Sequence, residues 1–287
     1  MLQRGDLPKS ERIRAQYALA QDFMKAGLFD RAEDAYRALE GTPFETEARL
    51  ALLSLLERSR DWRAAIAVAE QLERSGTASF AARISHFWCE LALEAEAAGK
   101  PALADEAVRC AHETAPQAAR PLVLAGQRAA GRGDHAAALE HWSALAAAQP
   151  LAFNLVTAEY ARSALAAGQR ERGLAALQAL YQRTPTVDLL EAIAQLETDP
   201  ERRRARLLQH LKTVPSLSAA QALLNDAART TLDDAATTAV SSAVQRAARP
   251  LHRYRCAACG FEAEHYFWQC PGCLSWDTYP PQRLEDL

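Results

Sequence analysis

The chain of 287 residues contains no stretch approaching the ~18 consecutive apolar residues of a membrane-spanning helix. Its opening, Met1-Leu2-Gln3-Arg4-Gly5-Asp6, has no apolar core and no cleavage site, so no secretory signal is expected and the chain as written reads as soluble. Glycine and proline are scarce, at 12 and 13 residues against 49% hydrophobic and 24% charged, which excludes collagen-like, low-complexity and disordered classes. A formal charge of -3 supplies no broad positive field, so general nucleic-acid binding is not expected. Aromatic residues are only 7% and strand-favouring residues are sparse. Roughly a fifth of the chain is alanine, the strongest intrinsic helix former, and an all-α fold is the expectation.

Catalytic signatures are missing as well. There is no Gly-x-Ser-x-Gly, no His-Glu-x-x-His and no Gly-rich phosphate loop with Lys, and Gly131-Arg-Gly133 falls where a turn between helices belongs; no enzymatic activity is expected. The six cysteines do not spread along the chain as a disulfide framework would, because four of them fall between 256 and 273. Cys89 and Cys110 stand alone in helical sequence and read as small buried apolar residues in a protein of a reducing compartment.

What is present is a repeat. Pro116, Pro150 and Pro185 recur at intervals of 34 and 35 residues, each between Ala- and Leu-rich stretches, with Pro215 following. Proline suits the first turn of a helix and disfavours helix in the residue before it, so these positions mark unit boundaries. A period of this length is that of a helix–turn–helix solenoid. The first unit carries the tetratricopeptide-like pattern best: Ala20 and Phe23, a turn around Gly27, then Ala32 and Tyr36. The small residues let two antiparallel helices approach and the aromatic rings fill the groove. About five units are expected, with a shorter sixth pair near 187–214 and capping helices near 217–228 and 232–248. Stacked pairs leave a concave face free for a protein partner, and in the first unit Tyr17, Gln21 and Met24 are the candidate groove residues. The run Glu201-Arg-Arg-Arg-Ala-Arg206 reads as a solvated helix face.

The sharpest signal is Cys256-Ala-Ala-Cys259-Gly260, ten further residues, then Cys270-Pro-Gly-Cys273. Two such turns each offer two sulfurs to one ion and complete a closed tetrahedral shell. Gly260 and Gly272 are expected to let backbone amides in the tight turns face the sulfurs. One structural metal ion, Fe or Zn, is the expected cofactor, since both accept four sulfurs. Disulfides or a redox pair compete less well without a strand–helix–strand context. Residues 251–287 are too few to build a core without the metal, and the aromatic residues around the motif exceed what a small ribbon covers, so the surplus is expected to dock on the final helices. The expected organisation is therefore repeats over 1–215, capping helices over 216–250, and a rubredoxin-like or zinc-ribbon metal domain over 251–287.

Tyr254-Arg-Cys-x-x-Cys-Gly-Phe261 followed by Trp268-x-Cys-Pro-x-Cys-x-x-Trp276-x-Thr278, placed after a helical array and before Arg283-Leu-x-x-Leu287, resembles the bacterial lipopolysaccharide assembly protein B family. The likeness extends forward through Gly27-Leu-x-Asp30-Arg-Ala-Glu33 and covers essentially the whole chain. It implies a scaffold on the cytoplasmic face of the inner membrane, with Cys256, Cys259, Cys270 and Cys273 as metal ligands. It also implies a role in regulating lipopolysaccharide synthesis, by delivering the committed lipid A deacetylase to the membrane protease FtsH. Family members begin with a transmembrane helix and a further repeat that this chain lacks, so Met1-Leu2-Gln3-Arg4 reads as the end of a preceding helix in an N-terminally shortened chain. Membrane association would then come through the missing anchor or through partners. A rubredoxin-like electron-transfer or redox-sensing role is the alternative. A nucleic-acid-binding zinc ribbon ranks last, because Glu262, Glu264, Asp277, Glu285 and Asp286 oppose phosphate.

Overall fold

The computed structural model describes residues 8–214, 216–225 and 234–286, and within them it is a succession of antiparallel α-helices ending in a small cysteine module. Pro215, Leu287, the opening Met1-Leu2-Gln3-Arg4 and the stretch 226–233 lie outside the described residues. The chain divides into two compact units, Met1–Ala118 and Ala119–Leu287.

In the first unit six helices form three pairs: α1 (Lys9–Lys25) with α2 (Phe29–Arg37), α3 (Glu45–Ser59) with α4 (Trp62–Arg74), and α5 (Ala81–Ala97) with α6 (Pro101–Thr114). Ala20 and Ala32 are fully buried where α1 meets α2, and Tyr36 closes that contact. Phe23 stays half-buried, with the Arg31 guanidinium 6.0 Å above its ring. Leu52, Leu53, Leu56, Trp62, Ala65 and Leu72 form the inner faces of the second pair, as their helical spacing predicts. Trp62 stacks on Phe87 of the third pair at 5.7 Å and donates its indole N–H to Glu94 at 3.0 Å.

The second unit holds α7 (Ala119–Gly131) with α8 (His135–Ala148), then α9 (Thr157–Ala166) with α10 (Arg170–Arg183). These are followed by α11 (Val187–Leu196), α12 (Pro200–Thr213), α13 (Leu217–Asn225) and α14 (Asp234–Ala248). Pro116, Pro150 and Pro185 all lie in the turns between pairs, as expected. The sixth pair differs from the first five. α11 packs on α9 and α10, and its Leu190 shares a small core with Leu207 of α12 and Ala219 of α13 instead of forming a tight hairpin with α12 alone. The main core of the unit is centred on Trp142, Leu145, Phe153, Val156, Leu177, Ile193 and Leu196.

The pairs turn by one recurrent device. After the first helix of each of the first five pairs, one residue adopts the left-handed conformation that L side chains disfavour: Gly27, Arg60, Gly99, Gly133 and Gly168, with φ between 59° and 80°. Asp61 and Asp134 then cap the second helix of their pairs by accepting the amide hydrogens of Ala64 and Ala137. Among the described residues no helix is long and apolar enough to cross a membrane.

Gly126 on α7 is small for a steric reason: a β-carbon there would lie 2.2 Å from the Trp142 indole nitrogen, and Trp142 is fully buried. Gly126→Ala should therefore destabilise the second unit by about 1–3 kcal/mol through overpacking. Arg60→Gly, which relieves a left-handed arginine, should stabilise the first by up to about 1 kcal/mol. Urea denaturation of the two variants against the parent chain reads both signs.

Candidate metal centre

The two cysteine turns are built alike. Cys256 accepts the amide hydrogen of Gly260 on its carbonyl at 2.8 Å and donates its own to the Phe261 carbonyl at 2.9 Å. Cys270 accepts from Leu274 at 2.8 Å and donates to Ser275 at 2.8 Å. The left-handed position of the first turn is Gly260, with φ 77°; in the second it is Leu274, with φ 59°. Gly272 turns its amide to a sulfur as expected, and its lack of a side chain serves packing too: a β-carbon there would approach Phe261 to 3.3 Å and the Cys259 sulfur to 3.5 Å. Its amide hydrogen points at the Cys270 sulfur across 3.4 Å. Strands β1 (Tyr254–Arg255) and β2 (Glu262–Ala263) flank the first turn in antiparallel register, Tyr254 opposite Ala263 and Arg255 opposite Glu262.

This backbone brings all four sulfurs within 4.8 Å of one another. Cys259 and Cys270 are 3.6 Å apart, and Cys256 and Cys273 are 3.9 Å apart. Both distances far exceed a disulfide bond of about 2.05 Å. They match the edge of a tetrahedron, about 3.8 Å, drawn around an ion at a metal–sulfur distance of about 2.3 Å. The electrostatics point the same way. Cys256 is drawn down to about 6, chiefly by its hydrogen bond with Thr278, and Cys273 is lowered by the Ser275 hydroxyl and amide. The Phe261 amide favours a thiolate at Cys259 too, yet burial and the three neighbouring sulfurs push that thiol up to about 12. Two sulfurs are thus prepared as anions and a third is refused ionisation by its neighbours. A cation at the centre removes the conflict, so the residues present fit a metal ion.

Around the cage the aromatic residues divide into two groups. Tyr266 sits at the centre of one, edge-on to Tyr254, Trp268 and Tyr279 at 5.6, 5.0 and 6.0 Å, and donates its hydroxyl to the Tyr279 carbonyl. Tyr279 is buried and donates to the carbonyl of Phe261 at 3.2 Å, tying the chain after the second turn to the first turn. Burial, with Asp277 adding repulsion, raises Tyr266 above the usual phenol range, so it is a neutral donor. The other group docks. Trp268 and Trp276 each place a ring 5.8 Å from the Arg120 guanidinium at the start of α7, where Arg120 is only 5% exposed. Among the described residues the surplus aromatics therefore meet α7, with Leu155 before α9 packing on the cage residues, where docking on the final helices was expected.

The last residues complete the attachment. The Arg283 guanidinium donates to Asp188 on α11 at 3.0 Å and to the His252 carbonyl at 2.6 Å, and lies 5.2 Å from the Tyr254 ring. Glu285 accepts hydrogen bonds from the Ser216 hydroxyl and from the Ser218 amide and hydroxyl at the start of α13. Asp286 accepts the Val187 amide hydrogen at the start of α11. Sequence reasoning counted Glu285 and Asp286 only as negative charge; the helix starts at Val187 and Leu217 were the signal that could have assigned them as caps. His252 bonds Ser218 at 2.8 Å and His265 is exposed, so neither approaches the cage as a fifth ligand. In the first unit Tyr17 stacks on Phe44 at 5.1 Å and tilts against Tyr36 at 6.4 Å, which makes it a packing residue, while Gln21 and Met24 are half-buried. His86 and Cys89 are buried in α5.

Paired helices in tetratricopeptide arrangement, ending in a clustered four-sulfur module docked on the array, define a helical-repeat scaffold with a rubredoxin-type domain. Residues 254–281 match the family described as "Rubredoxin metal binding domain". Over almost its whole length the chain is similar to lipopolysaccharide assembly protein B. It is 27% identical to the Escherichia coli K12 protein over 291 residues, covering 99% of this chain and 75% of that one. The Haemophilus influenzae Rd protein is 23% identical over 280 residues, with coverage of 94% and 70%. Among solved structures, MamA is 17% identical and covers 60% of this chain and 92% of its own, with a TM-score of 0.38. A thermophilic tetratricopeptide protein of Thermus thermophilus is 19% identical, covering 64% and 98%, with a TM-score of 0.32.

Chelation of the metal should release Trp268 and Trp276 from Arg120, shifting tryptophan emission to the red while far-ultraviolet circular dichroism of the helices changes little. Gly260→Ala should lower the chelator concentration needed, because an alanine there costs about 1–2 kcal/mol in the left-handed position.

Proposed function

We propose that the protein is a non-enzymatic adaptor in lipopolysaccharide biosynthesis, with repeats to about residue 215, capping helices to 250 and a metal module from 251. The observation that carries this reading is the four-sulfur cage docked on the second unit through Arg120, Leu155, Asp188 and the starts of α11 and α13. Cys256, Cys259, Cys270 and Cys273 would hold one ion, Fe or Zn. Because four sulfurs fill a tetrahedral shell, no position is left for water or substrate, and the ion's contribution is structural. Its binding would supply folding energy of order 10 kcal/mol to a segment too short for its own core.

The similarity to lipopolysaccharide assembly protein B supports the pathway, and the repeat architecture supports a protein partner held on exposed helix faces. The finer reading is that the chain presents the committed lipid A deacetylase to FtsH at the cytoplasmic face of the inner membrane, with Gln21 and Met24 among the partner contacts and Tyr17 shaping that surface.

Affinity capture with parent and Cys270→Ser protein, followed by mass spectrometry and metal analysis, tests this. The expected outcome is loss of both metal and client in the variant. Undiminished client capture by metal-free protein of native helicity would overturn the link between cage and binding. A reversible one-electron couple in protein from its native host would move the reading to electron transfer.

A further inference from the structure

The corner where the C-terminal residues meet α11 and α13 holds more carboxylates than cations. Arg283 is already engaged by Asp188 and the His252 carbonyl. Glu285 is well supplied, with donors from Ser216 and Ser218 on both of its oxygens. Asp286 is not: one oxygen takes the Val187 amide hydrogen, and the other is buried without a donor. Asp188, the residue after Val187 and only 8% exposed, has the same defect, with Oδ1 on Arg283 and Oδ2 buried without a donor. Among the described residues the titratable and charged groups around this corner are Tyr181 on α10, Asp188 and Glu191 on α11, Arg206 and His210 on α12, His252, Tyr254 on β1, and Arg283 with Glu285. Tyr181 and His210 are committed to each other at 2.5 Å. As a carboxylate, the half-buried Asp286 would sit beside two others with one amide for support and its Oδ2 out of water. As a carboxylic acid it gains an O–H donor in a corner that has acceptors to spare.

We propose that this end of the chain is a proton-operated latch: Asp286 docks on α11 as the neutral acid, and its ionisation loosens the tail that holds the metal module to the second unit. Burial, reinforced by Asp188 and Glu285 against the opposing Val187 amide, raises Asp286 from 3.8 to about 6. A carboxyl raised in the docked state stabilises docking fully below its free value and loses that contribution as pH climbs through about 6. Glu285 runs oppositely. Burial works against its charge, but the Ser218 and Ser216 donors outweigh that and lower it from 4.5, so its support is lost as pH falls below that range. Burial also lowers His210, which adds to the loss on the acid side. The latch is tightest around the ordinary carboxylate values of 3.8 to 4.5 and loosens progressively as pH climbs to about 6.

The test uses the full chain, metal-loaded. Amide hydrogen exchange at Val187 and Ser218, corrected for the intrinsic rate, is followed from about pH 5 to about pH 8, where the opening equilibrium at Val187 should rise at least about tenfold with a midpoint near 6. Asp286→Asn keeps the acceptor for Val187 and cannot ionise, and its profile should be flat over the same range. Glu285→Gln should loosen Ser218 at every pH and leave the Val187 midpoint in place. A flat profile in the parent chain, an unchanged midpoint in Asp286→Asn, or abolition of the midpoint by Glu285→Gln would each overturn the proposal. Metal content is measured alongside and should stay constant; metal loss that tracks the midpoint in both parent and Asp286→Asn would assign the transition to the cage and also overturn it.

Discussion

Four thiols packed within 4.8 Å cannot all become anions in one another's company, and that electrostatic conflict is the constraint on which the C-terminal end depends. Hydrogen bonding with Thr278 and Ser275 lowers Cys256 and Cys273, while Cys259 is driven the other way. A cation at the centre turns mutual repulsion into coordination. The same requirement explains the backbone of the two turns, whose matching hydrogen bonds place each pair of sulfurs on one side, and the left-handed Gly260 and Leu274 that close them.

Such a module has two faces to satisfy. Inward, Tyr279 and Tyr266 link the segments around the cage by hydroxyl-to-carbonyl bonds, so both phenol groups are paired. Outward, the rings that the ribbon cannot cover find a buried guanidinium, Arg120, and a partly buried place beside the solenoid core for Trp268. The tail then sets Glu285 and Asp286 on the open amide hydrogens at the starts of two helices, and for Glu285, held as an anion, the helix dipole adds to the hydrogen bonds. Attachment thus combines dispersion, cation–ring contact and helix capping, and each acts on a different part of the second unit.

Much of this was legible before any coordinates. Ala20, Ala32 and Tyr36 occupy the contact that their spacing announces, the prolines mark the turns, and the cysteine spacing places four sulfurs together. Arg60 and Leu274 were not legible, because nothing in their side chains advertises a left-handed backbone that glycine takes at the equivalent positions. Tyr17, a candidate groove residue, also stacks on Phe44, a contact that helical periodicity does not announce because it gives the face of a residue but not what a later turn lays against it. Nothing in the sequence around Arg120 marks it; only Trp268 and Trp276, about 150 residues further along the chain, make it a buried anchor.

Local chemistry is what the sequence alone decided: helix propensity, the 34- to 35-residue period and the metal-ligand spacing are properties of neighbouring residues and need no tertiary partner. Tertiary structure decided which surface the metal module meets, which carboxylates cap which helices, and how many charges one buried corner must share. Those outcomes depend on residues far apart in sequence brought into one low-dielectric place, where burial and mutual repulsion, absent from any local pattern, set the energy.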